Sequence, residues 1–353
     1  MAFSNADLAD LINVTLDELG RSKWTDLSFK HQRYFALPEI MRKERVAMEG
    51  GTGIQWTVTT KHSGAAHATT PYAEDAVAVA DVTQLANIPW RHVTTNWAID
   101  RLELAQNKGA ARIVQLIKMR RADALTSLAE LLESYMWSKP VDSTDTITPF
   151  GLFYYMVPNA TAGFNGGNPT GFAAGAGGID SSTYTRWANW TDQYTEVTHD
   201  DLIRKMRKAH FKTRFRAPHA TPGFERGAPR QVIYGQYDDI ALIEEVGEKQ
   251  NDRLGKDVAS MDGIVTFRGS PMEKVPELED QYAAPVGAGI PTNGILFVDW
   301  SEIYPAILSG EYLNESGPKQ SPKQHTVMEV HVDLTLNFCC KNRRPLAVIQ
   351  KSS

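Results

Sequence analysis

The sequence predicts an α+β protein in which very long elements extend from a compact region. Three observations predict this fold class. A run with helical periodicity extends from Asn96 to Trp137, the alternating run 325–350 predicts a very long strand of about 14 residues, and short helices and strands alternate between them. Such long elements are more typical of subunits of large assemblies than of small enzymes.

The helical run contains no proline and a single glycine, Gly109, and apolar or small residues recur at every third or fourth position. Asn96 is the expected N-cap, and Pro140 ends the run. A helix of this size would be roughly 60 Å long. Because Arg120 and Arg121 interrupt the apolar stripe, we expect a single beam and no sustained coiled coil.

Composition is that of an ordinary globular chain of 353 residues with a net charge of −5, which excludes a disordered or fibrous protein. The first ten residues carry acids and no apolar stretch, and no run is long enough to span a membrane. We therefore expect a soluble cytoplasmic protein. The two cysteines, Cys339 and Cys340, are adjacent and would point to opposite faces of a strand, so we expect core residues and no disulfide.

The first 47 residues are predicted to form an arm. Residues 3–20 have the pattern of a short amphipathic helix, and the residues that follow carry aromatic side chains without clear periodicity. We expect these aromatic residues to be buried only against another chain. They are Trp24, Phe29, Tyr34 and Phe35.

Residues 50–95 are predicted to form a two-stranded excursion. Ile54, Trp56 and Val58 alternate with polar residues, and a second strand-like run begins at Val77 and leads to Pro89. The apolar content is too low for a private core, and an isolated hairpin is marginal in water. We therefore expect a neighbouring chain to stabilise this excursion.

The segment from 163 to 178 is rich in glycine but lacks the lysine and hydroxyl ending of a phosphate loop, so we interpret it as a flexible surface loop or hinge. A compact α+β region follows. It comprises a helix capped by Thr198, a helix that begins at Tyr237, strands at Gln231–Tyr234, Ile264–Phe267 and Ile295–Val298, and a short apolar turn at 301–310.

No catalytic, cofactor or metal site is apparent. The sequence has no nucleophile elbow, and His62 and His67 lack carboxylates at ligand spacing. The run from His199 to Asp201 is better explained as the start of a helix.

Basic residues concentrate on the first half of the long helix and in 204–216. Two interpretations remain open: solvated faces with ion pairs between subunits, or sequence-indifferent contacts with nucleic acid phosphates. The helix carries six cations against one acid, Glu103. They are Arg101, Lys108, Arg112, Lys118, Arg120 and Arg121.

The order of these parts resembles the major capsid proteins of tailed bacteriophages, which have the Hong Kong phage-type fold. The phrases GGIDSSTYTRWANW, VIYGQYDDIALIEE and LNFCCKNRRPLAVI are similar to that family in style. The resemblance implies four parts. They are an N-terminal arm (1–47), an extended two-stranded E-loop (48–95), a P-domain (96–197 and 322–353) with a spine helix (96–137) and a Gly-rich loop (163–178), and a compact A-domain (198–321).

The resemblance also implies a function. The chain would assemble as pentamers and hexamers into an icosahedral shell around a double-stranded DNA genome. Assembly would take place in the host cytoplasm, and the finished shell would be the capsid of the virion. Portal and scaffolding proteins and possible decoration proteins would be its partners, with no membrane and no cofactor. Intersubunit contact candidates are Trp24, Phe29, Tyr34, Phe35, Trp56, Lys61 and Tyr72, and the six helix cations are the DNA-facing candidates.

Two other functions are compatible with the sequence. An encapsulin-like nanocompartment shell would share the architecture but enclose protein cargo, and a cytoplasmic enzyme with an α+β domain is a more distant alternative. Some capsid proteins also crosslink an E-loop lysine to an asparagine of a neighbour. Lys61 and Asn342 are the corresponding candidates.

Overall fold

The computed structural model describes residues 33–40, 46–62, 64, 67–70, 81–106, 110–214, 230–250, 265–283, 290–291 and 293–352. The chain divides into two compact units, one of residues 1–50, 90–134 and 306–336 and the other of residues 51–89, 135–305 and 337–353. Helices and mixed sheets occur together in the described residues, which confirms the predicted α+β class.

The described α-helices are α1 Ala36–Ile40, α2 Arg101–Gln106, α3 Ala110–Met136, α4 Leu152–Tyr155, α5 Arg204–Thr213, α6 Tyr237–Gln250 and α7 Pro276–Ala283. A π-helical turn, His199–Ile203, leads directly into α5, and a short 3-10 turn occupies Ala176–Gly178. The strands are β1 Val46–Met48, β2 Gly53–Thr59, β3 Thr83–Pro89, β4 Arg91–Asp100, β5 Gly163–Gly166, β6 Asn189–Tyr194, β7 Gln231–Gly235, β8 Thr266–Phe267, β9 Ser270–Lys274, β10 Ile295–Asp299, β11 Ile303–Leu308, β12 Asn314–Glu315, β13 Lys319–Gln320, β14 Val327–Cys340 and β15 Ala347–Lys351.

The first unit is organised by the long strand β14. This strand has 14 residues, as the sequence predicts, and it pairs antiparallel with β4 from Val327 opposite Asp100 to Leu336 opposite Arg91. From Val327 to Leu334 buried and partly exposed positions alternate, which confirms the predicted alternation there, whereas every position from Thr335 to Cys340 is buried. Helix α3 packs on the buried face of the alternating part through a cluster that includes Ile113, Ile117 and Val330.

The long helix begins later than the sequence predicts. Asn96, the expected N-cap, lies in the middle of β4, and the helical region starts at α2 and continues in α3, which has 27 residues and is about 40 Å long. The boundary prediction was therefore wrong. The β-branched residues Val93, Thr94 and Thr95 favour a strand, and ten paired positions on β14 stabilise it.

The second unit contains a seven-stranded sheet in the order β5-β6-β15-β10-β7-β9-β8. Its core includes Tyr194, Leu202, Ile233 and Phe297. The predicted strands at β7 and β10 and the helices α5 and α6 are confirmed. Strand β15 pairs with β6 and β10, so one sheet joins segments that the sequence analysis assigned to the P-domain and the A-domain. The four-part domain division stays a prediction.

Two shorter segments also differ from expectation. The segment 301–310, expected to be an apolar turn, contains strand β11, because Ala306 and Ile307 are buried where the strand pairs in parallel with β1. The second strand of the hairpin begins at Thr83, and the expected start from Val77 lies outside the described residues.

Candidate assembly surfaces

The arm is fixed to its own chain by one buried carboxylate. Glu133, on helix α3, is 2% exposed and accepts hydrogen bonds from three consecutive backbone N–H groups at the start of α1. The donors are Phe35 (3.0 Å), Ala36 (3.0 Å) and Leu37 (2.7 Å). A carboxylate at a helix N-terminus both satisfies orphan donors and complements the helix dipole. This contact makes residues 33–40 part of the folded subunit.

The structure therefore corrects one expectation about the arm. Phe35 is 8% exposed within a single chain, so its burial does not wait for a neighbour. Tyr34 is half-buried, and its hydroxyl donates to Glu130 at 2.8 Å. Trp24 and Phe29 lie outside the described residues, and so does Tyr72 of the hairpin tip.

The base of the β2–β3 hairpin packs on its own chain as well. Val58 and Ala86 form a cluster with Ile179 and Trp187. The indole N–H of Trp56 donates to the carbonyl of Cys340 at 3.1 Å. The expectation that another chain must stabilise these strands was therefore wrong, because the apolar face of the hairpin packs against residues near the Gly-rich segment. Lys61, beyond the end of β2, is exposed.

The Gly-rich segment 163–178 is folded into the second unit, contrary to the expected surface loop or hinge. Gly175 has φ of +84°, and a Cβ there would lie 2.1 Å from the carbonyl oxygen of Ile179. The backbone N–H of Gly177 donates to the hydroxyl of Tyr154 at 2.9 Å. Glycine is therefore used here for close approach and a left-handed turn.

Arg343 is the polar centre of this region. It is fully buried, and its guanidinium donates to the carbonyls of Tyr155 (2.8 Å), Trp187 (3.0 Å) and Gly167 (2.9 Å). Longer bonds reach a further carbonyl and the side chain of Asn189 (3.2 Å). Burial lowers the pKa of Arg343 to about 10, so the group stays charged at neutral pH. A buried cation surrounded by backbone carbonyls fixes an irregular segment that has few ladder hydrogen bonds.

Two of the six helix cations have carboxylate partners in the same chain. The Arg120 guanidinium lies 2.7 Å from Glu103, and the Arg121 guanidinium makes a two-pronged contact with Glu315 at 2.5 and 2.9 Å. Arg101 is exposed and Lys118 is half-buried. Lys108 and the side chain of Arg112 lie outside the description. The structure thus supports ion pairing for Arg120 and Arg121, although within one subunit.

The second basic group is also paired locally. Arg204 lies 2.7 Å from Asp200, and Lys205 is paired with Asp201. The predicted cap is confirmed, because the hydroxyl of Thr198 accepts from the N–H of Asp201 at 3.2 Å. These contacts support the interpretation of this segment as the start of a helix.

Both cysteines are buried free thiols in β14, which confirms their prediction as core residues. Burial raises the pKa of Cys339 to about 12, so the thiol is unreactive at neutral pH. Among the described residues there is no cluster of histidine, cysteine or acidic side chains that could hold a metal ion. The helices within the described ranges include none that is long and apolar enough to cross a membrane.

Sequence reasoning missed the residues that hold the arm and the Gly-rich segment in place. Glu133 and Arg343 each bond to backbone groups far away in sequence, and sequence periodicity carries no signal for such contacts. A glutamate at position 133 also fits the polar pattern of a long helix. Only its place among buried neighbours marks it as an anchor.

No protein-family model and no curated protein matches the chain. Solved structures do. A chain of the cyanophage A-1(L) capsid asymmetric unit matches with a TM-score of 0.61 at 14% identity, over 96% of this chain and 98% of that chain. The capsid of cyanophage P-SCSP1u matches with a TM-score of 0.52 at 10% identity, over 96% and 94%. A chain from Mycobacterium phage Ogopogo matches with a TM-score of 0.51 at 11% identity, over 96% and 99%. Along nearly its whole length, the chain therefore has the fold of the tailed-bacteriophage major capsid proteins that its sequence resembles.

Proposed function

We propose that this protein is the major subunit of an icosahedral phage capsid and assembles as pentamers and hexamers around double-stranded DNA. The observation that carries this proposal is the fold match across 96% of the chain, which covers the extended elements as well as the compact core. The proposal includes a structural role without enzymatic activity. The subunit would reside in the virion after assembly in the host cytoplasm, with portal, scaffolding and decoration proteins as further partners.

Assembly would use the arm and the hairpin, whose described parts are fixed to their own chain. Glu133 holds the start of α1, and the cluster around Val58 and Trp187 holds the base of the hairpin. Anchored in this way, the rest of the arm and the tip beyond Lys61 can contact neighbouring copies at a lower entropic cost than free segments. Tyr34, Trp56 and Lys61 remain candidates for such contacts, as do the undescribed Trp24, Phe29 and Tyr72.

Contact with DNA would be made by phosphate-directed cations and would be insensitive to sequence. Arg120 and Arg121 already have carboxylate partners, so they are weaker candidates than Arg101, which is exposed. Lys108, Arg112 and Lys118 complete the set from the sequence. Such contacts would weaken as the salt concentration rises.

Sedimentation and negative-stain microscopy of the expressed protein test the assembly claim. We expect closed shells or capsomers, whereas a small oligomer of fixed size would refute it and favour a cytoplasmic enzyme. The nature of the contents is tested on particles from producing cells after nuclease treatment. Protected double-stranded DNA is expected, and particles that hold only protein cargo would instead support the nanocompartment.

A further inference from the structure

The second unit contains a cleft between the end of β2 and the residues that precede β6 and β15. Four cationic side chains line it: Lys61, Arg186, Lys341 and Arg344. No carboxylate lines it or the adjoining cavity among the described residues. Burial and the charge of Arg186 lower the pKa of Arg344. Several like charges gathered in one cleft favour an anionic occupant.

A second observation also indicates a missing ligand. Thr60 is only 4% exposed and lines both the cleft and the adjoining cavity. Its hydroxyl oxygen is a buried atom for which the described part of the chain supplies no hydrogen-bond partner. Buried hydroxyl groups are ordinarily satisfied, so an oxygen ligand in the cleft would complete the site.

The same unit presents a matching acidic surface. On helix α6, Asp238, Leu242 and Glu245 follow one another at four- and three-residue spacing and so share a face, with Glu244 adjacent. All four side chains are exposed, and no ion pair of the three carboxylates occurs among the described residues. Carboxylates that project from a helix are suitable ligands for arginine and lysine side chains.

We propose that the basic cleft binds the acidic face of helix α6 from a second copy of this chain. The two surfaces are different patches of one subunit, so the contact is heterologous and joins copies head to tail, as a closed ring requires. The proposal deepens the proposed shell function and rests on it. A nucleic acid backbone is a poorer occupant, because the cations surround one discrete cleft and do not form an extended basic stripe.

Charge reversal tests the pairing. Lys61→Glu with Arg186→Glu should raise the protein concentration at which assembly begins by at least about tenfold, because like charges would then face each other. Asp238→Lys with Glu245→Lys should have the same effect. All four substitutions together should restore assembly, because every copy then offers a reversed cleft to a reversed helix.

The matched control is Lys319→Glu with Lys323→Glu, which makes the same change in net charge at two exposed lysines outside the cleft. It should assemble like the wild type, and circular dichroism should show every variant folded. Unchanged assembly of either reversed pair would overturn the proposal. So would a failure of the fourfold variant to recover.

A disulfide test detects the contact even if the protein forms no shells. Thr59→Cys lies in the cleft wall and Leu242→Cys on the acidic face, and both leave every charge in place. Under mild oxidation the double variant should form disulfide-linked dimers and longer ladders, whereas either single variant should not. The natural cysteines are fully buried and do not interfere.

Disulfide-linked ladders without shells would support the proposed contact and refute the shell function. Shells without disulfide-linked ladders would refute the proposed contact and leave the shell function standing. A labelled DNA duplex is added as a further probe. DNA binding that is lost in the Lys61→Glu, Arg186→Glu variant while its assembly is unchanged would overturn the proposal in favour of a phosphate site.

Discussion

Replacement of Arg343 by methionine should destabilise the second unit more than any surface substitution. The guanidinium is fully buried and donates to four backbone carbonyls and to the side chain of Asn189. Methionine fills much of the volume but donates nothing. The buried carbonyls of Tyr155, Trp187 and Gly166 then lose this donor, and the part-buried carbonyl of Gly167 loses it as well.

The magnitude follows from the number of orphaned acceptors. A buried carbonyl left without a partner costs about 1–3 kcal/mol, and three such groups would cost roughly 3–9 kcal/mol. The substitution also removes the penalty of burying a cation, which is several kcal/mol. Taking about 6 kcal/mol, the middle of that range, less about 2–3 kcal/mol for the buried cation, we expect a net loss of unfolding free energy of about 3–4 kcal/mol for Arg343→Met. Arg343→Lys keeps a charge but offers three donors in place of the guanidinium fork, so we expect a smaller loss of about 2–3 kcal/mol.

Urea unfolding of the unassembled subunit, followed by tryptophan fluorescence, measures these losses. Hydrogen exchange should also show faster opening in 163–178, because Arg343 holds that segment through Gly166 and Gly167. The matched control is Arg186→Met, an exposed arginine with no ion pair among the described residues, which should change stability by less than about 0.5 kcal/mol. A loss below about 1 kcal/mol for Arg343→Met, or equal losses at both positions, would show that the buried fork is not the anchor.

Three further predictions follow from single contacts. Glu133→Ala orphans three N–H groups and should speed proteolysis of the arm at least about tenfold, whereas Asp123→Ala on the same helix should not. Burial, and then two nearby arginines, lower the pKa of His210 to about 4. As the pH falls, the His210 imidazole binds a proton near pH 6.5 in the unfolded chain but only near pH 4 in the folded chain. The free energy of unfolding therefore decreases by up to about 3 kcal/mol as the pH falls from 6.5 to 4. His210→Phe should lack this part of the loss in acid-unfolding curves. Arg121→Gln should lower subunit stability by about 1–3 kcal/mol, and Arg101→Gln should leave it unchanged but weaken any salt-sensitive binding of DNA.

Periodicity predicted the parts of the fold in which one face is buried along a whole element. The alternation in β14 survives because each apolar residue faces the core in turn, and its 14 residues were visible in the sequence. The cap at Thr198 and the helix from Tyr237 could be predicted for a different reason. Their sequence signals lie within a few residues of one another.

The failures occurred where long-range pairing decides the structure. Residues 96–100 continue a helical pattern, but ten paired positions on β14 hold them in a strand. The Gly-rich segment has no periodicity, yet the Arg343 side chain orders part of it. Arg343 and the residues it bonds to are about 150 or more positions apart in the sequence. Neither residue propensity nor residue spacing could therefore indicate these contacts.

Three buried polar side chains bond to backbone groups that lie far away in sequence. Glu133 binds N–H groups of the arm, and Arg343 binds carbonyls of the Gly-rich segment. Asn337, also fully buried, donates to the carbonyl of Pro89 at 2.8 Å and accepts from the N–H of Phe150 at 2.9 Å. Each of these side chains satisfies backbone groups of segments that lie about 100 or more positions away in sequence, or for Arg343 and Asn337 farther still. Segments fixed in this way lose little further entropy when a partner binds, so any contact that they make with a partner has a lower entropic cost.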